Sequence, residues 1–213
     1  MLISLIALLP CFAVLLVLLI LVKFAGGPVF KGWLGEIIVS RVGLKQLDPT
    51  LYRTFGDIYL QLPNGKGTTQ IDHIVVSQFG IFVIETKNYK GWIFGTEKQR
   101  QWTQQIYKAK HRFQNPLHQN RLHVTALKQF LGLPDDCFHP VVMFIGDAQF
   151  KTQMPSNVLN RGLLSWIKSH TSTLLDSAVV QQSITRLEDL HRATDRKTAA
   201  RDHVIALKAR ING

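Results

Sequence analysis

The stretch IDHIVVSQFGIFVIETK, residues 71–87, limits the fold more than any other part of the chain. With TTQ before it, it forms two β-branched, apolar runs separated by QFG, the pattern of a tight hairpin. Charged side chains stand only toward the far ends, Asp72 on the first run and Glu85 and Lys87 on the second. Residues two apart share a strand face, so Asp72 falls with Ile74 and Val76, and Glu85 with Ile81, Val83 and Lys87. A two-residue Gln78-Phe79 loop, with Ser77 facing Gly80, sets Asp72 across from Glu85. Opposed Cβ atoms are about 4.5–5.5 Å apart, so two carboxylates there repel unless a positive charge sits between them. Either a divalent cation or Lys87 supplies that charge.

The remaining elements follow from periodicity and breakers. GWLGEIIVSRVGLKQL, from Gly32, spaces Leu34, Ile37, Ile38, Val42 and Leu44 as an amphipathic helix, which Asp48-Pro49 ends. DIYLQLP at 57–63 alternates as a strand, and NGKG at 64–67 is a turn signal. A short strand is expected from Trp92 to Gly95, then a helix from about Thr103 that Asn115-Pro116 breaks. PLHQNRLHVTALKQFLG restarts a helix with Leu117, Val124, Leu127 and Leu131 along one face, closed by Gly132 and Pro134. PVVMFIGD at 140–147 suits a fully buried central strand. From Gly162 the chain reads as helical, and its Arg192, Arg196, Lys197, Arg201, Lys208 and Arg210 belong to a packed cap or a basic nucleic-acid contact. The order α-β-β-β-β-α-α-β predicts an α/β fold, a mixed central β-sheet flanked by helices.

Before that domain, MLISLIALLPCFAVLLVLLILV at 1–22 carries no charge and has the roughly 20 apolar residues a bilayer-crossing helix needs. A cleaved signal peptide is the alternative, though no basic segment precedes the run. Lys23 and Lys31 follow it, so the positive-inside bias directs the rest of the chain to the cytoplasm, with a bacterial inner membrane as the expected setting. The expected organisation is a transmembrane anchor at 1–23, a linker at 24–31, the α/β domain at 32–155 and a C-terminal helical segment at 156–213. Cys11 and Cys137 have no ligand-like spacing, which argues against a disulfide framework or zinc ribbon.

Lys and Arg outnumber Asp and Glu 25 to 14, and the formal net charge of +11 favours a polyanion or an anionic membrane surface. Between Lys87 and Lys128, Lys90, Lys98, Arg100, Lys108, Lys110, Arg112 and Arg121 accompany a single acid, Glu97. Such a stripe would neutralise phosphates, and Tyr89, Trp92 and Trp102 among it could stack on unpaired bases or serve as core. His111, His118 and His123 form no i, i+4 pair and have no acidic companion in sequence, so they are not expected to hold a metal. Neither GxxxxGK[ST] nor GxGxxG occurs, and no serine nucleophile elbow is visible, so no nucleotide cofactor is expected.

GEIIVSRVGL, QIDHIVVSQFGIFVIETKNYKGWIFG, QWTQQ and NPLHQN together resemble the nuclease-related domain (NERD), itself similar to the PD-(D/E)xK endonuclease superfamily. The resemblance covers roughly residues 32–150 and implies a restriction-endonuclease-like core that processes DNA with Mg²⁺ or Mn²⁺. It implies that Glu36 is the acid of the first helix, Asp72 the metal-binding aspartate, Glu85 with Lys87 the ExK pair, and Gln101 a supporting polar residue. Asp72 and Glu85 would then ligate the metal, with Lys87 as the catalytic cation. Two other classes compete: a catalytically silent nucleic-acid-binding or scaffold module at the membrane, and a surface that reads anionic lipid headgroups.

Overall fold

The structure, a computed structural model, describes residues 43–65, 67–195 and 198–205. The expected membrane span, the linker and residues 32–42 of the expected first helix, Glu36 among them, lie outside the described residues, as do Arg196, Lys197, Lys208 and Arg210; the end of that helix is a short 3-10 turn, Leu44–Gln46. Among the described residues no helix is long and apolar enough to cross a membrane.

Two sheets make up the described body. The first runs in the order β1 (Arg53–Gln61), β2 (Thr68–Ser77), β3 (Gly80–Asn88), β7 (Phe138–Ile145) and β9 (Val158–Leu159). Its first three strands are antiparallel neighbours, whereas β3, β7 and β9 run parallel, so the sheet is mixed. The second runs β6 (Ala109–Gln114), β5 (Gln101–Ile106), β4 (Gly91–Phe94) and β8 (Ala148–Phe150). Helices α1 (Pro116–Leu131), α2 (Leu163–Lys168) and α3 (Ser177–Ala193) pack with the sheets, and residues 198–205 are helical as well.

The apolar runs of β2 and β3 are explained by burial on both sides. Ile74, Val76, Ile81 and Val83 pack on one face with Leu127 and Leu131 of α1 and Leu187 of α3. Val75, Phe82 and Ile84 pack on the other with Leu44, Leu163 and Ile167, the last two on α2. Leu175 and Leu187 thus make the described part of the C-terminal segment a packed cap. The hairpin has the expected register, from Ser77 paired with Gly80 to His73 paired with Ile84. Ser77 steadies its loop by accepting a hydrogen bond from the Phe79 amide and donating one to the Gly80 carbonyl.

Residues 101–114 depart from expectation. The expected helix from Thr103 is a second hairpin, β5 and β6, with Ile106 paired to Ala109 and Gln101 to Gln114. Trp102 turns into a cluster with Ile93 and Phe144, with Phe113 packed against it, while neighbouring positions alternate outward. A period of two wins over the helical reading because both aromatics find the same core. Tyr107 takes a left-handed backbone at the turn, φ 52°. Trp102 is fully buried, so it serves as core and not as a base-stacking ring. The approach is close enough that a Cβ at Gly95 would sit 2.3 Å from the indole. Asn115-Pro116 starts α1 instead of breaking a helix: the Asn115 side chain accepts from the Leu117 amide, and Pro116 opens the first turn. Buried Asn115 also donates to the carbonyls of Thr96, Glu97 and Gln99, sewing that loop to the helix start.

Candidate active site

The parallel pairing of β3 with β7 and the packing of α1 across them bring the site together. Asn120 of α1 donates to the Val83 carbonyl on β3 and the Val141 carbonyl on β7, each at 3.0 Å. That bridge sets the rotation of α1, so that Gln119 and His123, one turn apart, face the end of β3.

Glu85 is 1 % exposed, and both its oxygens are engaged. Oε1 accepts from Lys87 Nζ at 2.5 Å, and Oε2 lies 2.8 Å from His123 Nε2. The other ring nitrogen of His123 is 2.7 Å from Thr69 Oγ1 on β2, and Lys87 Nζ also donates to Gln119 Oε1 at 2.9 Å. Burial works to raise the Glu85 pKa, but Lys87 and His123 overcome it and hold the carboxyl below its ordinary value. For Lys87, burial pulls downward, and the opposing pull of Glu85, with Asp72 behind it, leaves the pKa raised. Glu85 is therefore ionised and Lys87 charged at neutral pH.

Asp72 and Glu85 lie one residue beyond His73 and Ile84, the pair that ends the β2–β3 ladder, Asp72 preceding His73 in the chain and Glu85 following Ile84. Its Oδ2 accepts from the backbone amide of Thr86 at 2.7 Å. The carboxylate is thereby drawn to the peptide between Glu85 and Lys87.

His123 gains in the fold a partner that its sequence neighbours do not show. It has no acidic companion in sequence, yet in the fold Glu85, 38 positions earlier, is its partner. Gln119, Asn120, His123 and Thr69 were not among the residues expected at the site. The spacing of Gln119 and His123 on the HQNRLH stretch does place both on one helix side, which is the signal that could have found them. Gln101 sits elsewhere, exposed on β5, lining an open cleft of about 1100 Å³ with Arg100, Arg112 and His118. All seven stripe residues, Lys90, Lys98, Arg100, Lys108, Lys110, Arg112 and Arg121, are exposed.

The donors present suit a hard divalent cation, since Mg²⁺ is commonly held by one or two carboxylates with waters and substrate phosphates. Each Glu85 oxygen accepts one hydrogen bond and keeps a lone pair. Among the described residues no three His, Cys, Asp or Glu side chains cluster, so the described set stops at Asp72 and Glu85.

A model of the nuclease-related domain family matches residues 31–145, more than half of the chain. The chain belongs to the nuclease-related domain family. This NERD chain thus carries a PD-(D/E)xK-like domain. It is 45 % identical over 118 residues to an uncharacterized protein of Bacillus anthracis, a match over 53 % of this chain and 55 % of the relative. The NERD chain therefore spans about half the length of that relative. A crystal structure of the protein of unknown function AF1548 aligns at 11 % identity over 86 % of this chain and all of the other, with a TM-score of 0.34.

One residue of this NERD domain makes its stability acid-sensitive. His73, between Asp72 and Ile74, is buried, and its Nε2 has no hydrogen-bond partner among the described residues. Burial pushes its pKa down to about 4, against the upward pull of Asp57 and Glu85. Below the ordinary value of about 6.5 the unfolded chain binds a proton that the folded chain refuses, so stability falls as pH drops through that window. The loss reaches roughly 3 kcal/mol near pH 4 and is absent above about pH 7. Urea unfolding at several pH values should show this slope in the parent and a shallower one in His73→Leu. Equal slopes would assign the sensitivity to other groups.

Proposed function

We propose that this chain hydrolyses phosphodiester bonds of DNA in a metal-dependent reaction at the end of β3, held to the cytoplasmic face of a membrane by its apolar N-terminal run. One observation carries the reading: an ion pair on one strand between buried Glu85 and half-buried Lys87, with the Asp72 carboxylate anchored on the Thr86 amide between them. Asp72 and Glu85 would hold Mg²⁺ or Mn²⁺, which when bound activates water and offsets charge on the phosphodiester. Glu36 joins them by family resemblance. Lys87, kept protonated by Glu85, acts as a fixed cation toward the developing phosphate charge. Gln119 and Glu85 hold its ammonium in place, so little reorganisation accompanies the reaction. His123 orients Glu85 from behind. Gln101, beside Arg112 in the cleft, is suited to contacting substrate.

A second reading, a catalytically silent nucleic-acid-binding module, is favoured by the engagement of both Glu85 oxygens, in which the Lys87 ammonium balances the carboxylate without a metal ion. Incubating the full chain in detergent with linear, circular and single-stranded DNA, in Mg²⁺, Mn²⁺ or EDTA, separates the two. Hydrolysis predicts cleavage that EDTA abolishes. Binding with no cleavage under any metal would leave only the silent module.

A further inference from the structure

The second sheet has one face in the core and one outward. Ile93 and Trp102 pack inward. Strand pairing places Trp92, Gln105 and Lys110 side by side on the other face, followed by Phe94, Thr103 and Arg112. Trp92 is 44 % exposed, and Tyr107 at the hairpin tip is 93 % exposed. Lys151 Nζ lies 4.8 Å from the Trp92 ring centre, so a cation and a stacking surface stand together. Among the described residues neither Arg112 nor Lys110 is paired with a carboxylate. Two hollows open on this face: the cleft of about 1100 Å³ at Phe94 and Arg112, and one of about 440 Å³ at Trp92, Gln105 and Tyr107. Asp147 at the rim of the smaller hollow is the acid among its lining residues.

We propose that this outward face, centred on Trp92 and Arg112, is a platform for an unpaired polynucleotide strand. The chemistry separates a single strand from a duplex. Exposed rings gain from stacking only when bases offer their faces, whereas in a duplex those faces are already stacked. The glutamine amides donate and accept without charge, which suits base edges and sugars, and Lys110, Arg112 and Lys151 meet phosphates. Four strands at about 4.8 Å spacing span roughly 14 Å, narrower than a duplex needs but ample for one strand. His118, which borders the larger hollow, precedes Gln119, which bonds Lys87, so the platform leads along α1 to the candidate active site. The fate of the bound strand rests on the hydrolytic reading; its binding does not.

Anisotropy of fluorescein-labelled oligothymidylate with the full chain in detergent and EDTA tests this, with a duplex of equal length as competitor. The single strand should bind at least about tenfold tighter than the duplex, and Trp92→Ala should weaken it roughly 5- to 150-fold, the range for one stacked base. Trp92→Phe should restore most of that loss, which a misfolded Trp92→Ala could not mimic. Arg112→Ser should lower the slope of log affinity against log salt by about 0.7, one phosphate contact on a single strand. Equal affinity for duplex, parental affinity in Trp92→Ala, or displacement by phosphatidylserine vesicles regardless of Trp92 would each overturn the platform. With Mg²⁺ added, single-strand binding without cleavage would remove the hydrolytic reading and leave the platform standing. Duplex cleavage without single-strand preference would do the reverse.

Discussion

A Glu85→Gln variant should unfold with about 3–5 kcal/mol less stability than the parent, and it should not cleave DNA. The amide is nearly the same size, so packing against His123 and β3 survives. What changes is charge. The Lys87 side chain is 17 % exposed, and its ammonium would face only neutral amide oxygens, those of Gln119 and of the introduced side chain, with the charge of Asp72 acting from farther off. A buried ion stripped of its counter-ion is far more costly than a buried pair removed whole. The double variant Glu85→Gln/Lys87→Met should therefore recover most of the loss while remaining inactive. Urea unfolding of the three proteins, followed by tryptophan fluorescence in one detergent, measures this. If the double variant is no more stable than the single, the uncompensated charge on Lys87 is not the source of the cost.

Asp72→Asn should show the opposite balance. An asparagine oxygen can still accept the Thr86 amide, so stability should change by about 1 kcal/mol or less, the difference between a charged and a neutral acceptor. Cleavage should fall on the order of 10³-fold, the scale for removing one electrostatic contributor from a transition state. The loss should be in kcat, with DNA affinity in EDTA no weaker than the parent's, because the Asp72 charge repels phosphate and its removal costs no attraction. Parental cleavage by this variant would remove Asp72 from the reaction and leave Glu85 and Lys87 to a structural role.

These two carboxylates are legible in the sequence, whereas their surroundings are not. Asp72 and Glu85 follow from counting across a short turn, because period-two alternation and a two-residue loop fix neighbours locally. The helix at 116–131 is legible for a similar reason, its apolar spacing being closed by Gly132, whose φ of 70° needs no Cβ. The hairpin at 101–114 escapes a sequence reading because Gln, Thr and Lys carry little strand signal, and the choice hangs on Trp102 and Phe113 finding Phe144 in another strand.

What the sequence by itself determined was the β2–β3 hairpin, its register, the two acids at its open end and the basic character of residues 88–128. These are matters of neighbours a few residues apart. Only the tertiary structure decided that Glu85 is closed off by His123, that Gln119 holds Lys87, and that Trp92 faces outward while Trp102 is core. Each of those contacts joins segments separated by a strand crossover or a second sheet, and their pairing is set by which buried faces close together.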